Sequence, residues 1–450
     1  HMSISENVGG MSRYLAKIRT ADFYTGLKKG VTTTLEKIPK VGDSLIEQIR
    51  RTKSSIKQLI VPGMFFEDMG ITYLGPVKGH DLPTLCRVFS EARRIEGTVL
   101  VHVLTKKGKG YTPAEEHPGK FHGISPFDIA TGEVSAKKKK DTYTDVFGKV
   151  MCAEAKENPD ITAITAAMED GTGLSRFHSM FPDRFFDVGI AEEHAVTFAA
   201  GLAAGGMRPV VAVYSSFLQR AYDQILHDVG LQKLPVVFAV DRAGLVGSDG
   251  ETHQGIFDLS FLSSIPNMTV MSPKHKWELA DMLRFALKSD GPVAIRYPRG
   301  AAYDQYVEYR APIEYGKSEM ICEESGIALI SMGHMFEEAV KVRKNLKDAG
   351  YSCTLVNGRF VKPIDEECIE RLAKNHKLIA VLEENVITGG YGMQVLECAS
   401  RRQLSCHVLP IALPDNYVEH GSVEVLRKET GIDAQSVTEK IMETYKELQI

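Results

Sequence analysis

Two carboxylates and a histidine follow a short apolar stretch near the middle of the chain. Glu192, Glu193 and His194 come directly after residues 185–191, which read Phe-Phe-Asp-Val-Gly-Ile-Ala. This stretch is typical of a buried strand and a tight turn, and the alanine-rich residues after it favour a helix. Because open α/β sheets bind ligands at the carboxyl ends of strands, Glu192 is a candidate catalytic carboxylate. The alternative is charge compensation at a helix N-terminus, worth about 0.3–1 kcal/mol.

Polar and basic residues also follow several other apolar segments. They form four stretches: Tyr-Ser-Ser-Phe-Leu-Gln-Arg at 214–220, Asp-Arg-Ala-Gly at 241–244, Asp-Gly-Glu-Thr-His-Gln-Gly at 249–255 and Arg-Tyr-Pro-Arg-Gly at 296–300. Each lies at or just beyond the carboxyl end of a predicted strand, where ligand residues of such sheets are expected. This concentration of functional residue types favours the catalytic interpretation of Glu192.

A basic, glycine-containing loop occupies residues 105–113, with the order Thr-Lys-Lys-Gly-Lys-Gly-Tyr-Thr-Pro, after a predicted strand at 98–104. Glycines let backbone amides approach a phosphate and lysines supply positive charge, so the loop is a candidate phosphate cradle. A solvated surface loop explains these residues equally well. His122 lies in a loop beside Gly123, and a histidine in such a place can act as a general acid or base, although most do not.

Strands and helices alternate from Tyr143 onward. The predicted strands are 161–165, 185–188, 210–214, 236–240, 269–271 and 293–296, with helices between them such as 218–229 and 274–287. A second series of strands comes at 327–333, 353–356, 378–384 and 408–412. Apolar strands that alternate with helices predict an α/β fold with mainly parallel sheets. Residues 389–392, Gly-Gly-Tyr-Gly, lack the Lys-Ser/Thr of a P-loop and are interpreted as a tight turn before a helix.

The first part of the chain has a pattern different from that of the later part. Residues 43–60 have helical apolar spacing, and residues 65–81 are predicted to form a strand, a turn and a helix beginning at Asp81. A lysine run around 136–142 is typical of a linker. We therefore predict three α/β domains: residues 1–135, which are the remainder of an incomplete first domain, then 143–315 and 316–450.

Composition limits the class of protein. The chain has 450 residues, 43% of them hydrophobic and 25% charged, with a net charge of −4 and a pI of about 6.4. These values are typical of a globular protein and give no reason to expect nucleic acid or an anionic membrane as a partner. The seven cysteines form no Cys-x-x-Cys pair, which favours buried thiols in a reducing compartment. No apolar run of about 18 residues and no signal peptide are present.

Many of these motifs occur together, and in the same order, in one family. The stretches at 191–196, 214–224, 241–244, 249–255 and 296–300 resemble those of the 1-deoxy-D-xylulose-5-phosphate synthases, as do 2–9, 106–111 and 359–365. The resemblance runs essentially from end to end and implies a transketolase-like enzyme dependent on thiamine diphosphate and Mg²⁺. It implies condensation of pyruvate with D-glyceraldehyde 3-phosphate, with release of CO₂, in the biosynthesis of isoprenoid precursors, thiamine and pyridoxal phosphate.

The resemblance also assigns roles to particular residues. Glu192 matches the glutamate that hydrogen-bonds the cofactor's aminopyrimidine ring, and Glu193 stands where the family usually has Gln. Phe217 matches the aromatic residue that stacks on that ring. Arg242 and Arg299 match substrate-binding arginines, with Tyr214 and Arg220 near them, while Asp249 matches a substrate-binding residue and His253 a proton shuttle. Residues that match cofactor- or substrate-facing positions of the first domain are His122, Lys107 and Tyr111. Arg suits bidentate contact with phosphate. Core packing and structural salt bridges are the alternatives.

The family's metal motif is absent from this sequence. In the family, a Gly-Asp-Gly and a later Asn hold magnesium and the diphosphate ahead of the Met-Ser-Ile-Ser stretch, which here is residues 2–5. We therefore expect no metal ligand in this chain, and poor cofactor binding and little activity from these residues alone. Other interpretations are a transketolase, a relative of the pyruvate dehydrogenase β subunit, or a non-enzymatic remnant that only dimerises. By analogy we expect a homodimer in a bacterial cytoplasm, with a plastid as the alternative.

Overall fold

The computed structural model describes residues 64–124, 126–134 and 140–448. The chain divides into two compact units, His1–Lys137 and Lys138–Ile450. The predicted helix at 43–60 and residues 136–139 of the predicted linker lie outside the described residues.

In the first unit, a two-stranded parallel sheet is flanked by short helices. The elements are α1 (Met64–Asp68), β1 (Thr72–Lys78), α2 (Leu82–Ala92), β2 (Val99–Leu104) and α3 (Thr112–Glu116). Asp81 caps α2 as predicted, because its side chain accepts a hydrogen bond from the amide of Thr84. The prediction of a strand from residue 65 is wrong at its start. A helical turn comes first there, and Gly70, with φ +77°, separates it from β1.

A seven-stranded sheet forms the first half of the second unit. One edge strand, β12 (Phe360–Lys362), comes from the later part of the unit. The spatial order is β12-β7-β8-β6-β5-β3-β4, and every neighbouring pair is parallel except β12–β7. In chain order the elements are α4 (Tyr143–Glu157), β3 (Ile161–Thr165), α5 (Ser175–Met180), β4 (Phe185–Asp187), α6 (Glu192–Ala204), β5 (Arg208–Tyr214), α7 (Ser215–Leu218), α8 (Tyr222–Gln224), β6 (Val237–Asp241), α9 (Asp258–Ser263), β7 (Thr269–Met271), α10 (Lys276–Leu287) and β8 (Val293–Arg296). The predicted strands therefore form, within two residues at each end.

The predicted helix at 218–229 is not one regular helix. After α7 the chain makes a 3₁₀ turn at Gln219–Ala221, then α8, then a π-helical segment at Ile225–Gly230. Hydrophobic spacing does not reveal such changes of pitch, because apolar residues still face the core at Ile225 and Val229. Short 3₁₀ and π segments are frequent near functional sites.

A five-stranded sheet forms the second half of this unit, in the order β14-β13-β10-β11-β9. The elements are β9 (Glu319–Cys322), β10 (Gly326–Ser331), α11 (Phe336–Asp348), β11 (Cys353–Asn357), β12 (Phe360–Lys362), α12 (Glu366–Asn375), β13 (His376–Val386), α13 (Tyr391–Arg401), β14 (His407–Leu413), α14 (Val423–Glu429) and α15 (Ala434–Glu447). Two of these strands are not predicted from the sequence: β9, the antiparallel edge strand, and β12, which leaves this region to pair with β7 of the other sheet.

Buried charges connect the two sheets. Lys274, Glu278, Glu319 and Arg359 are all less than about a tenth exposed and form ion pairs of 2.5–3.1 Å with one another. Two cations and two anions leave this buried cluster without net charge, which lowers the cost of removing it from water. Both β12 and this cluster therefore connect the seven-stranded sheet to the five-stranded sheet.

Candidate active site

Glu192 lies where the sequence predicts it, at the first position of α6. The turn before it is fixed by Asp187, whose Oδ1 accepts hydrogen bonds from the amides of Ala167 (2.8 Å) and Gly189 (2.9 Å). Gly189 has φ +76°, which favours glycine. Glu192 is only 3% exposed, and its Oε2 accepts a hydrogen bond of 2.8 Å from Nη1 of Arg220. A buried carboxylate with a cationic partner therefore stands at the carboxyl end of β4.

Phe217 lies in a half-buried group of three rings. Strand β5 ends at Tyr214 and α7 starts immediately after it. The ring centroid of Phe217 is 5.7 Å from that of Tyr214 and 5.2 Å from that of His253, which meets it edge-on. Phe217 lies in α7 and Arg220 in the 3₁₀ turn that follows it directly, so the two residues are about one turn apart. Since Arg220 contacts Glu192, the aromatic group and the buried carboxylate belong to one region.

Arg242 and Arg299 converge on Asp249. Oδ2 of Asp249 accepts hydrogen bonds from Nη1 of Arg299 at 2.6 Å and from Nη1 of Arg242 at 3.2 Å. The guanidinium carbon of Arg242 also lies 3.8 Å from the ring centroid of Tyr214, a cation–π contact. Burial raises the pKa of the Tyr214 hydroxyl, and Arg242 opposes that rise. Two guanidinium groups and one carboxylate leave a net charge of +1 at this place.

Asp241 is not among the predicted site residues, but it contacts the backbone of Arg242. It is fully buried at the end of β6 and accepts hydrogen bonds from Thr144 Oγ1 (2.8 Å) and the amide of Arg242 (2.7 Å). Burial raises its pKa to about 7. The signal was present in the sequence, because Asp241 is the last residue of an apolar strand. Arg242 itself has φ +58°, a left-handed conformation that costs about 1–2 kcal/mol for a non-glycine residue.

The loop from Arg242 to Gly255 carries three of the predicted site residues. Its two ends are joined by reciprocal backbone hydrogen bonds between Gly244 and Gly255, of 2.7 and 2.8 Å. His253 is half-buried, and its Nδ1 lies 2.9 Å from Thr252 Oγ1. Arg242, Asp249 and His253 therefore lie on a loop whose two ends are fixed to each other.

The predicted residues of the first unit fall into two groups. Nζ of Lys107 lies 2.9 Å from Nδ1 of His122. The ring of Tyr111 instead packs with Phe121 and Phe127 at 5.6 and 5.9 Å, and its hydroxyl donates to the carbonyl of Ile129. Lys107 and His122 are thus neighbours, while Tyr111 has a clear role in local packing.

An acidic residue of the helix that follows the predicted phosphate cradle contacts the cradle's lysines. Glu115 forms an ion pair with Lys106 at 2.6 Å and with Lys109 at 3.8 Å, and it accepts the amide of Gly110 at 2.9 Å. The hydrogen bond from Lys106, with that from Gly110, lowers the pKa of Glu115 to about 2. A carboxylate of α3 therefore takes contacts from Lys106, Lys109 and the Gly110 amide that a bound phosphate was expected to take.

The glycine-rich turn at 389–392 leads into helix α13, as predicted. The buried carboxylate of Glu383 accepts the amides of Tyr391 and Gly392 at the helix N-terminus, both at 2.8 Å. A Cβ at Gly390 would lie 2.6 Å from Glu383 Oε1. The side chain of Glu383 therefore occupies the place at this helix N-terminus where an anionic ligand would otherwise bind.

In the described ranges 64–124, 126–134 and 140–448, no group of three or more His, Cys, Asp or Glu side chains is arranged to hold a metal ion. Over the same ranges, no helix has the length and apolar character needed to cross a bilayer.

Three family profiles match the chain. The one described as "1-deoxy-D-xylulose-5-phosphate synthase" matches residues 1–105, "Transketolase, pyrimidine binding domain" matches 139–304, and "Transketolase, C-terminal domain" matches 316–437. The candidate site of the second unit lies within the second of these matches.

Solved structures share the fold. The chain "Split gene transketolase, inactive beta4 tetramer" is 27% identical with a TM-score of 0.62, and the match covers 68% of this chain and 99% of that one. Transketolase from Campylobacter jejuni has a TM-score of 0.58 at 18% identity, over 85% of this chain and 68% of that chain. These likenesses support the transketolase-like α/β fold.

Relatives found by sequence are closer. The 1-deoxy-D-xylulose-5-phosphate synthase of Lachnoclostridium phytofermentans is 54% identical over 443 residues, which is 98% of this chain and 71% of that protein. The synthase of Caldanaerobacter subterraneus subsp. tengcongensis is 51% identical over 447 residues, 99% of this chain and 72% of the relative. Identity of this extent across nearly the whole chain shows that it belongs to the 1-deoxy-D-xylulose-5-phosphate synthase family.

Proposed function

We propose that this chain carries much of the active site for the condensation of pyruvate with D-glyceraldehyde 3-phosphate to 1-deoxy-D-xylulose 5-phosphate and CO₂. The single observation that carries the proposal is the convergence of Arg242 and Arg299 on Asp249, beside the aromatic group that contains Phe217. A basic group of side chains next to aromatic rings suits a reaction that joins a phosphorylated acceptor to a cofactor-bound donor. Membership of the synthase family supports the same reaction.

The residues around Glu192 fit the pyrimidine ring of thiamine diphosphate. Glu192 offers a buried carboxyl group, and the half-buried ring of Phe217 would offer a stacking surface. The bound cofactor would supply the electron sink for the acyl carbanion left by decarboxylation, which no amino-acid side chain supplies. Glu192 would exchange a proton with a ring nitrogen at its carboxylate oxygen, and Arg220 would hold that carboxylate in place.

Arg242 and Arg299 would bind the phosphate of the acceptor. Arg guanidinium groups make paired, charge-assisted hydrogen bonds with phosphate oxygens. Asp249 holds both side chains in one place before the substrate arrives, and Tyr214 fixes the plane of Arg242. Such preparation reduces the entropy that is lost on binding.

The remaining predicted residues have supporting parts in the proposal. His253 contacts Phe217 and would shuttle a proton at the reacting carbons. Lys107 and His122, which lie together, and Tyr111 are also proposed to bind the cofactor or substrate. Mg²⁺ is proposed as the counter-ion of the diphosphate, and no ligand for it is assigned among the described residues.

The proposal extends to the whole protein. We propose a homodimer that works in a bacterial cytoplasm, with residues 1–135, 143–315 and 316–450 as its three domains and 136–142 as a linker. The relatives described above come from bacteria.

One experiment tests the reaction and separates it from that of a transketolase. The intact enzyme that contains these residues is supplied with thiamine diphosphate, Mg²⁺ and D-glyceraldehyde 3-phosphate, and either pyruvate or a ketose phosphate is added as the donor. The proposal predicts CO₂ release and a deoxyketose phosphate from pyruvate only. Transfer of a two-carbon unit from the ketose phosphate, without CO₂, would contradict it.

A further inference from the structure

A buried glutamate from the later sheet holds the middle of the substrate-binding loop. Glu384 lies near the carboxyl end of β13 and is 0% exposed. Its Oε2 accepts a hydrogen bond from the amide of Leu245, at 2.9 Å. Leu245 is three residues from Arg242 and four from Asp249, within the loop that carries both. The contact therefore joins the second half of the unit to the proposed acceptor site.

The carboxylate of Glu384 is itself firmly fixed. Nε2 of His334 donates to its Oε2 at 2.6 Å, and Nε of Arg427 donates to its Oε1 at 2.7 Å. Burial alone would raise the pKa of Glu384, but Arg427 and His334 hold it below its usual range. Burial lowers the pKa of His334, which is consistent with a neutral ring that donates through Nε2. Glu384 is thus an ionised acceptor that two side chains outside the loop hold in place.

The surrounding backbone leaves no space between the loop and this carboxylate. Gly244 has φ +78°, and a Cβ built on it would lie 2.1 Å from Glu384 Oε2 and 3.1 Å from His334 Cε1. The next amide, that of Val246, donates to Gln254 Oε1 at 2.8 Å, and Gln254 Nε2 donates to the carbonyl of Glu419 at 3.0 Å. The amide of Leu245 is therefore held by Glu384 directly. The amide of Val246 is held by Gln254, which in turn contacts the backbone of Glu419.

We propose that Glu384 is a positioning residue that sets the affinity for the phosphorylated acceptor by holding the Arg242–Gly255 loop through the Leu245 amide. The inference rests on the proposed function, since it takes Arg242 and Asp249 as the acceptor site. A glutamate accepts on both oxygens, whereas a glutamine in its place turns an N–H₂ group toward either Leu245 or Arg427, both of which are donors. In either orientation the charge is lost and one donor faces another donor, so the side chain holds the Leu245 amide more weakly and the Arg242–Asp249–Arg299 geometry loosens.

The chain offers a matched control one residue away. Glu383 is also 0% exposed, and its carboxyl group accepts two backbone amides where that of Glu384 accepts one. Its side chain points to the opposite face of β13, as successive strand residues do, and it binds the start of α13 rather than the loop. Glu383→Gln therefore reproduces the buried substitution without touching the acceptor site.

The test compares Glu384→Gln with Glu383→Gln in the intact enzyme, by steady-state kinetics and by hydrogen exchange of a peptide spanning residues 242–250. We expect Glu384→Gln to raise the KM for D-glyceraldehyde 3-phosphate about fivefold or more, with the KM for pyruvate changed less than about twofold. Exchange of the loop amides should accelerate in Glu384→Gln only. Equal effects of the two variants on both KM values would overturn the proposal, because a general loss of stability does not distinguish the substrates.

A second variant covers the case in which Glu384→Gln does not fold. In Gly244→Ala the added Cβ would clash with Glu384 Oε2, so the loop must move away from Glu384. We expect the same selective rise in the acceptor KM. An unchanged acceptor KM in a folded Gly244→Ala enzyme would refute the proposal. If the wild-type enzyme does not turn over pyruvate and the phosphorylated aldehyde, the proposed function fails, whereas the exchange measurement still reports whether Glu384 holds the loop.

Discussion

Nη1 of Arg299 lies 2.6 Å from Oδ2 of Asp249, although the two residues are 50 positions apart in the chain. The same oxygen receives Arg242, so one carboxylate gathers two cations at the edge of the seven-stranded sheet. A phosphate that enters this place meets guanidinium groups that are already oriented. Under the proposed function, substrate selectivity comes from the arrangement of these three charged side chains on two separate loops.

Glu192→Gln should reduce turnover at saturating cofactor by roughly 10²- to 10⁴-fold, the usual range for loss of a group that transfers protons. KM values should change far less, because the amide retains the shape of the side chain. The measurement is kcat with pyruvate and D-glyceraldehyde 3-phosphate. Glu193→Gln is the control, since the neighbouring Glu193 is half-buried and has no assigned role. Similar activity in the two variants would remove Glu192 from the mechanism.

Gly171→Ala should weaken acceptor binding from a distance. A Cβ at Gly171 would lie 1.7 Å from the hydroxyl of Tyr214, so the ring must move, and Arg242 loses the surface on which it lies. We expect a rise in the acceptor KM of about threefold to tenfold, from a cation–π contact worth ~0.5–2 kcal/mol. Gly291→Ala is the matched control, because a Cβ there meets no atom of the described structure within 4 Å. If both variants match wild type, the Tyr214–Arg242 contact has no part in binding.

Asp241→Asn should change the pH dependence of stability. The carboxyl group ionises near its ordinary value of 3.8 in the unfolded chain and near 7 in the folded protein, because burial disfavours the charged form. Between these values the folded state holds a proton that the unfolded state has lost, so this group's contribution to stability falls as pH rises, by at most about 1.4 kcal/mol per pH unit. Asn does not titrate.

The free energy of unfolding, measured in urea at pH 5 and at pH 8, tests this sign. Relative to wild type, Asp241→Asn should gain stability between the two pH values. A difference between variant and wild type that is the same at both would show that Asp241 is already ionised at pH 5.

Asp258→Ala should destabilise the fold by about 3–5 kcal/mol, the cost of leaving a buried cation without its partner. Arg296 and Asp258 are both 0% exposed and pair through two hydrogen bonds of 2.8 and 3.1 Å. The measurement is the urea unfolding midpoint. The double variant Asp258→Leu with Arg296→Met should lose less stability than the single variant, since it buries no unpaired charge. A larger loss in the double variant would contradict this account of the pair.

Sequence patterns located most of the second unit because apolar strands and polar strand ends are both local signals. Glu192, Tyr214 and Arg242 lie at strand ends, as predicted, because strand order brings the carboxyl ends of β4, β5 and β6 to one edge. Periodicity did not reveal β12, because a three-residue strand has too few positions to show alternation, and its partner β7 is about 90 residues earlier.

Side-chain partners were harder to predict than positions. The pairing of Glu115 with Lys106 depends on how one loop folds on α3, and this changes the meaning of a basic loop that looked like a phosphate cradle. Glu384 was visible in the sequence as a carboxylate at the end of a buried strand. Its contact with Leu245 required the three-dimensional arrangement, because 139 residues separate the two.

The central claim, that Arg242 and Arg299 bind the acceptor's phosphate, is tested most directly by comparing D-glyceraldehyde 3-phosphate with unphosphorylated D-glyceraldehyde as acceptors for wild type, Arg242→Gln and Arg299→Gln. The control is Arg310→Gln, whose guanidinium pairs with Asp281 instead. We predict that the ratio of kcat/KM for the two acceptors falls at least about tenfold in each site variant, equivalent to ~1.4 kcal/mol, and stays at the wild-type value in the control. A ratio that is unchanged in Arg242→Gln and Arg299→Gln would contradict the claim, even if both enzymes were slower.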